Sequence, residues 1–85
     1  IPIMKALGYP VAIDASHCVQ KPGGEVTTSG GEAEFIPTIA SAGISAGADG
    51  LFLEVHDNPP EALSDKFNSF NINKLQKLLA SLIEL

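Results

Sequence analysis

Pro10-Val11-Ala12-Ile13-Asp14-Ala15-Ser16, closed by His17, decides the fold together with Gly50-Leu51-Phe52-Leu53-Glu54-Val55-His56. Each is a short, largely apolar run, the pattern of a strand buried on both faces, and two-face burial belongs to parallel sheets covered by helices. One helical segment separates the two runs. Strands that alternate with helices imply a parallel sheet with helical crossovers. If the strands are parallel neighbours, His17 and Glu54 emerge side by side at one end of the sheet.

The flanking residues extend this pattern. Ile1-Pro2-Ile3-Met4-Lys5-Ala6-Leu7-Gly8 reads as the tail of a helix, with Gly8 as its stop, because glycine accepts a left-handed conformation after a last turn. The spacing predicts a second helix over 34–46, where Phe35, Ile36, Ile39, Ala40 and Ile44 form an apolar stripe. Pro37 belongs in its first turn, where a missing N–H has no intrahelical partner to lose. Gly43 suggests close packing on a sheet, and Gly47 is a stop signal. Asp57-Asn58-Pro59-Pro60 ends the second strand, since consecutive prolines cannot continue a ladder. Asn71 can cap a last helix through its side-chain oxygen. In that helix Leu75, Leu78, Leu79, Leu82 and Ile83 keep the spacing of one buried face.

The order is therefore helix tail, strand, helix, strand, helix. Two strands cannot close a barrel. A (β/α)₈ barrel runs to roughly 250 residues, so residues 1–85 are expected to be a partial single domain, the C-terminal portion of such an α/β barrel. Active sites of these barrels gather at the C-terminal ends of the strands, which His17 and Glu54 occupy.

Composition narrows the function. The net charge is −5, and the five basic residues, all lysine, are scattered without forming a stripe, which argues against a nucleic-acid surface. A single cysteine permits no internal disulfide and fits a reducing, intracellular setting. The opening residues do not read as a secretory signal, and no apolar run approaches the roughly 18 residues of a membrane span.

Chemistry concentrates in His17, Glu54 and Asp65, the last placed in the loop after the second strand. Any one of them alone is more often structural or solvated than a ligand. Together they offer one imidazole nitrogen and two carboxylates, a set that suits zinc, iron(II) or manganese better than magnesium or calcium. Three protein ligands leave positions open for water or substrate, which is a catalytic arrangement. Cys18 follows His17 directly, and on an extended chain its side chain points to the opposite face, so a structural role is expected for it. His56 can either support Glu54 or simply pack. Residues 18–33, with four glycines and one proline, form a long loop of the kind that is usually functional or disordered. Within it, Ser29-Gly30-Gly31 precedes a helix N-terminus that could bind an anion. Gln20 could hydrogen-bond a hydroxylated substrate, and Lys21 reads as a solvated charge.

Read in order, Asp14-Ala-Ser-His17-Cys-Val-Gln20-Lys-Pro-Gly-Gly24, Ser29-Gly-Gly31, Phe52-Leu-Glu54-Val-His56 and Ala62-Leu-Ser-Asp65 resemble the C-terminal part of the 3-deoxy-D-manno-octulosonate 8-phosphate synthase family. The resemblance covers nearly all of the chain. It implies a (β/α)₈ barrel, a homotetramer, and a cytoplasmic transferase. Such an enzyme condenses phosphoenolpyruvate with arabinose 5-phosphate for lipopolysaccharide synthesis. It further implies that His17 ends the seventh strand, Glu54 ends the eighth, and Asp65 joins both as a ligand of a divalent metal. Gln20 and Ser29 match family positions in the loop that closes over the sugar phosphate. Leu63-Ser64-Asp65 looks like the metal-dependent branch, whose cysteine ligand lies on the first strand and is not Cys18. The lysine and arginine residues that bind phosphate would lie upstream of Ile1, and the 85 residues alone would be inactive. Two departures are visible: Ala33 stands where the family often has arginine, and Lys66-Phe67-Asn68 follows Ser-Asp. The nearest rival is the related synthase that uses erythrose 4-phosphate in aromatic biosynthesis. A non-catalytic binding module is the alternative of a different class.

Overall fold

A computed structural model describes residues 1–19, 33–59 and 69–85. The order of elements is α1 (Pro2–Lys5), β1 (Ala12–Asp14), α2 (Ile36–Ser45), β2 (Gly50–Phe52), β3 (Val55–His56), β4 (Phe70–Asn71) and α3 (Leu75–Ile83). Single 3-10 turns at Ala33–Phe35 and Ile72–Lys74 lead into α2 and α3. Among the described residues no helix is long and apolar enough to cross a membrane.

β1 and β2 pair in parallel, with Ala12 opposite Gly50, Ile13 opposite Leu51 and Asp14 opposite Phe52. The crossover between them carries α2, so the expected strand–helix–strand unit is present and the chain is mixed α/β. Both strands are shorter than the apolar runs that encode them. The ladder closes where Ala15 N–H donates to the Phe52 carbonyl, at 3.2 Å. The second run does not stay one strand. At Glu54 the chain changes partner, and β3 pairs in parallel with β4, Val55 opposite Phe70 and His56 opposite Asn71. β4 is not expected from the sequence, because a two-residue strand has no periodicity from which to be read.

α2 packs on the β1–β2 pair through small residues. Ile36, Ala40 and Gly43 are buried, and a Cβ built on Gly43 would lie 2.7–2.8 Å from the Ile13 side chain. Gly47, at φ 105°, ends the helix: its N–H donates to the Ile44 carbonyl and that of Ala48 to the Gly43 carbonyl, both at 3.0 Å. This two-bond glycine stop satisfies carbonyls that the helix itself leaves open. At the N-terminal edge of the strands, the Asp49 carboxylate accepts from Val11 N–H at 2.9 Å and from Lys5 Nζ at 3.3 Å. Lys5 Nζ also donates to the Gly47 carbonyl at 2.8 Å, which ties α1 to the α2–β2 corner.

The Asn71 side chain accepts from Asn73 N–H at 2.9 Å, so the expected cap is made, on the turn that opens into α3. The apolar stripe of α3 is only half used. Leu78 and Leu82 are buried with Ala15, Ile36, Ala40 and Phe70, whereas Leu79 is 42% exposed and Ile83 83% exposed. The stripe is wider than the surface it meets, so its second edge, with Ile72 and Leu75, lines an open apolar groove.

Candidate functional site

The C-terminal ends of β1 and β2 carry the chemistry. Beyond Asp14 the chain bends into a 3-10 turn over His17–Val19. The bend is made by Asp14 itself, whose Oδ1 accepts from Ser16 N–H at 3.1 Å and from His17 N–H at 2.9 Å. The Oδ2 of the same carboxylate lies 2.8 Å from His17 Nδ1. Desolvation pushes the Asp14 carboxyl up, but the two backbone N–H groups and the His17 ring together outweigh it and hold the group below the usual carboxylate range.

Glu54 is fixed through its main chain. Its N–H donates to the Ser16 hydroxyl at 2.7 Å, and its carbonyl accepts from Phe70 N–H at 2.7 Å. Ser16 is fully buried. It thus supplies a side-chain acceptor at the point where the β1–β2 ladder stops, and Glu54 sits between the two strand pairs. The result is that His17 Nε2 and Glu54 Oε1 face each other at 3.7 Å, both part-exposed. Phe52 borders the imidazole, with ring centroids 6.2 Å apart.

This separation is too long for a hydrogen bond. Two donors bound at about 2.0–2.2 Å to one tetrahedral ion would lie roughly 3.3–3.6 Å apart, so the pair fits as two ligands of a divalent cation. Among the described residues no third His, Cys, Asp or Glu completes a group with them. Asp65 lies outside the described residues, as do Gln20, Lys21 and Ser29-Gly30-Gly31. Cys18 does not complete a group with the pair, as expected, but it is exposed rather than packed. The structural role expected of it assumed an extended chain, and the 3-10 turn removes the assumption. His56 Nδ1 accepts from Asn58 N–H at 2.8 Å and lies 3.2 Å from Asp57 Oδ1. Two contributors escaped the sequence reading, Asp14 and Ser16. Their only signal was position, within four residues of one another at a strand end.

The DAHP synthetase I family model matches residues 1–85. A 2-dehydro-3-deoxyphosphooctonate aldolase of Francisella tularensis subsp. mediasiatica is 52% identical over 83 residues, covering 98% of this chain and 30% of that protein. The protein of the same name from Protochlamydia amoebophila is 53% identical over 85 residues, covering 100% of this chain and 31% of its own length. This chain therefore spans about 30% of the length of the curated relatives it matches. A truncated 3-deoxy-D-arabino-heptulosonate 7-phosphate synthase from Thermotoga maritima superposes with a TM-score of 0.67 at 28% identity, covering 88% of this chain and 24% of that one. The aldolase name is a second name for 3-deoxy-D-manno-octulosonate 8-phosphate synthase, so the resemblance carried by the motifs is borne out. Matched over its whole length, the chain belongs to the DAHP synthetase I family.

Proposed function

We propose that the protein carrying these residues condenses phosphoenolpyruvate with arabinose 5-phosphate, giving 3-deoxy-D-manno-octulosonate 8-phosphate and inorganic phosphate. In this reading, residues 1–85 are the C-terminal part of a (β/α)₈ barrel, with β1 and β2 as its seventh and eighth strands. Carbon 3 of phosphoenolpyruvate attacks the sugar aldehyde, water adds at carbon 2, and the bond from carbon 2 to the phosphate oxygen breaks. The observation that carries the reading is the facing of His17 Nε2 and Glu54 Oε1 at the ends of two parallel strands.

His17, Glu54 and Asp65 would hold a divalent ion, zinc, iron(II) or manganese by donor chemistry. When bound, such an ion supplies Lewis acidity towards an aldehyde oxygen or a water molecule. The protein's own contribution is positional. The Ser16 hydroxyl and Phe70 N–H hold the Glu54 backbone, and the Asp14-made turn sets His17 on the same edge. Gln20 and Ser29 would contact the sugar phosphate, and shielding of the reaction from bulk water would fall to the same stretch of chain.

The test is phosphate release by the full-length protein from phosphoenolpyruvate plus arabinose 5-phosphate, with and without added metal. No release under either condition would sink the assignment. Substituting erythrose 4-phosphate separates the second reading, which the likeness to the heptulosonate synthase favours. The higher identity to the octulosonate enzymes, 52–53% against 28%, supports the five-carbon sugar.

A further inference from the structure

We propose that Asp14 is a positioning residue that holds His17 in its Nδ1–H tautomer, so that Nε2, the ring nitrogen on the Glu54 side, is the one that ligates a divalent cation. The inference rests on the metal reading above and extends it to a residue behind the ligands.

An ionised carboxylate accepts hydrogen bonds and donates none. Asp14 Oδ2 lies 2.8 Å from His17 Nδ1, so the ring nitrogen is the donor and carries the hydrogen. In a neutral imidazole the other nitrogen, Nε2, then keeps its lone pair. Nε2 lies 3.7 Å from Glu54 Oε1, and two electron-pair donors at that separation favour a cation between them. The opposite tautomer would aim a hydrogen at Glu54 instead. Asp14 cannot swing away easily, because its Oδ1 is held by the N–H groups of Ser16 and His17. One carboxylate therefore makes the turn with one oxygen and sets the ring with the other. A purely structural Asp14 would need only the first.

Asp14→Asn separates these roles. An asparagine can keep its carbonyl on the backbone N–H groups while its NH₂ group meets Nδ1, which must then become the acceptor. Nδ1 loses its hydrogen and Nε2 gains one, the same logic by which an Asp→Asn change imposes the wrong tautomer in a serine-protease triad. The experiment uses full-length protein with ¹⁵N-labelled histidine, stripped of metal by a chelator, at about pH 8, above the ordinary imidazole range. Long-range ¹H–¹⁵N spectra, with His17 assigned by its loss in His17→Gln, should show Nδ1–H in the wild type and Nε2–H in Asp14→Asn. Zinc affinity, measured by competition with a chromogenic chelator, should fall by about 10–100-fold in the variant. Nε2–H in the wild type, an unchanged tautomer in the variant, or equal zinc affinity in the variant when the wild type does bind zinc, would overturn the inference. A wild type that shows Nδ1–H, with the reversal in Asp14→Asn, yet binds no zinc would overturn the metal reading and leave the positioning role standing.

Discussion

His17 and Glu54 are conspicuous as residue types, and their placement at strand ends could be read directly from the apolar runs before them. What could not be read is how they are aimed. The aim comes from Asp14 and Ser16, a carboxylate and a hydroxyl whose partners are backbone N–H groups, and such partners leave no mark in composition. Truncating either ligand tests the site. His17→Ala or Glu54→Gln in the full-length protein should lower kcat/KM for phosphate release by about 100-fold or more, the loss of a few kcal/mol of Lewis-acid stabilisation. Unchanged kinetics in either variant would favour a structural role for that residue.

A second residue-scale prediction concerns Asp49. Val11 N–H, first, and then Lys5 hold its carboxyl below the usual range. A depressed folded-state value means stability that is present above the unfolded carboxylate value of about 3.9 and lost as the pH falls through the folded value. Full-length Asp49→Asn should therefore melt lower than the wild type near neutral pH. The two melting curves should converge under acid, because the wild-type carboxyl is then protonated. Parallel curves at every pH would exclude this linkage.

At the scale of elements, the helices were more legible than the strands. α2 and α3 carry their periodicity and stops within themselves. Pro37 in a first turn, Gly47 as a terminator and Asn71 as a cap are local devices, and each is found where its chemistry predicts. The strands were misjudged in length because a strand ends where its partner ends, not where its apolar run does. Glu54 illustrates this: its N–H turns to the Ser16 hydroxyl, 38 residues away, and the chain leaves β1 for β4. Contact between elements gives the next prediction. At Gly43 an added methyl group would meet Ile13 Cβ and both of its γ carbons at 2.7–2.8 Å. Gly43→Ala should cost about 1–3 kcal/mol by overpacking, read from urea unfolding of the full-length protein. Adding Ile13→Ala should recover part of that loss, since contacting residues are not additive. A neutral Gly43→Ala would show that α2 shifts freely on the sheet.

At the scale of the whole molecule, the described core is small. Six hydrophobic residues are buried, while larger side chains such as Ile3, Leu7, Phe52, Leu79 and Ile83 are exposed. Among the described residues the strands form two separate two-stranded parallel pairs, and pairs this small are marginal on their own. The 85-residue chain by itself is therefore expected to lack a cooperative thermal transition and to show no synthase activity. A sharp calorimetric peak from this chain alone would contradict that expectation.

The sequence by itself determined the alternation of strands and helices, the stops and caps, the family, and the residue types available for metal binding. All of these depend on neighbours a few positions apart, or on motifs whose order is written in the chain. Tertiary structure decided the rest: where each ladder stops, which half of the α3 stripe is buried, that Cys18 turns outward, and that His17 Nε2 and Glu54 Oε1 lie 3.7 Å apart on segments held by Asp14 and Ser16. Those outcomes depend on hydrogen bonds and van der Waals contacts between elements, and their strength depends on distance in space, which local periodicity does not encode.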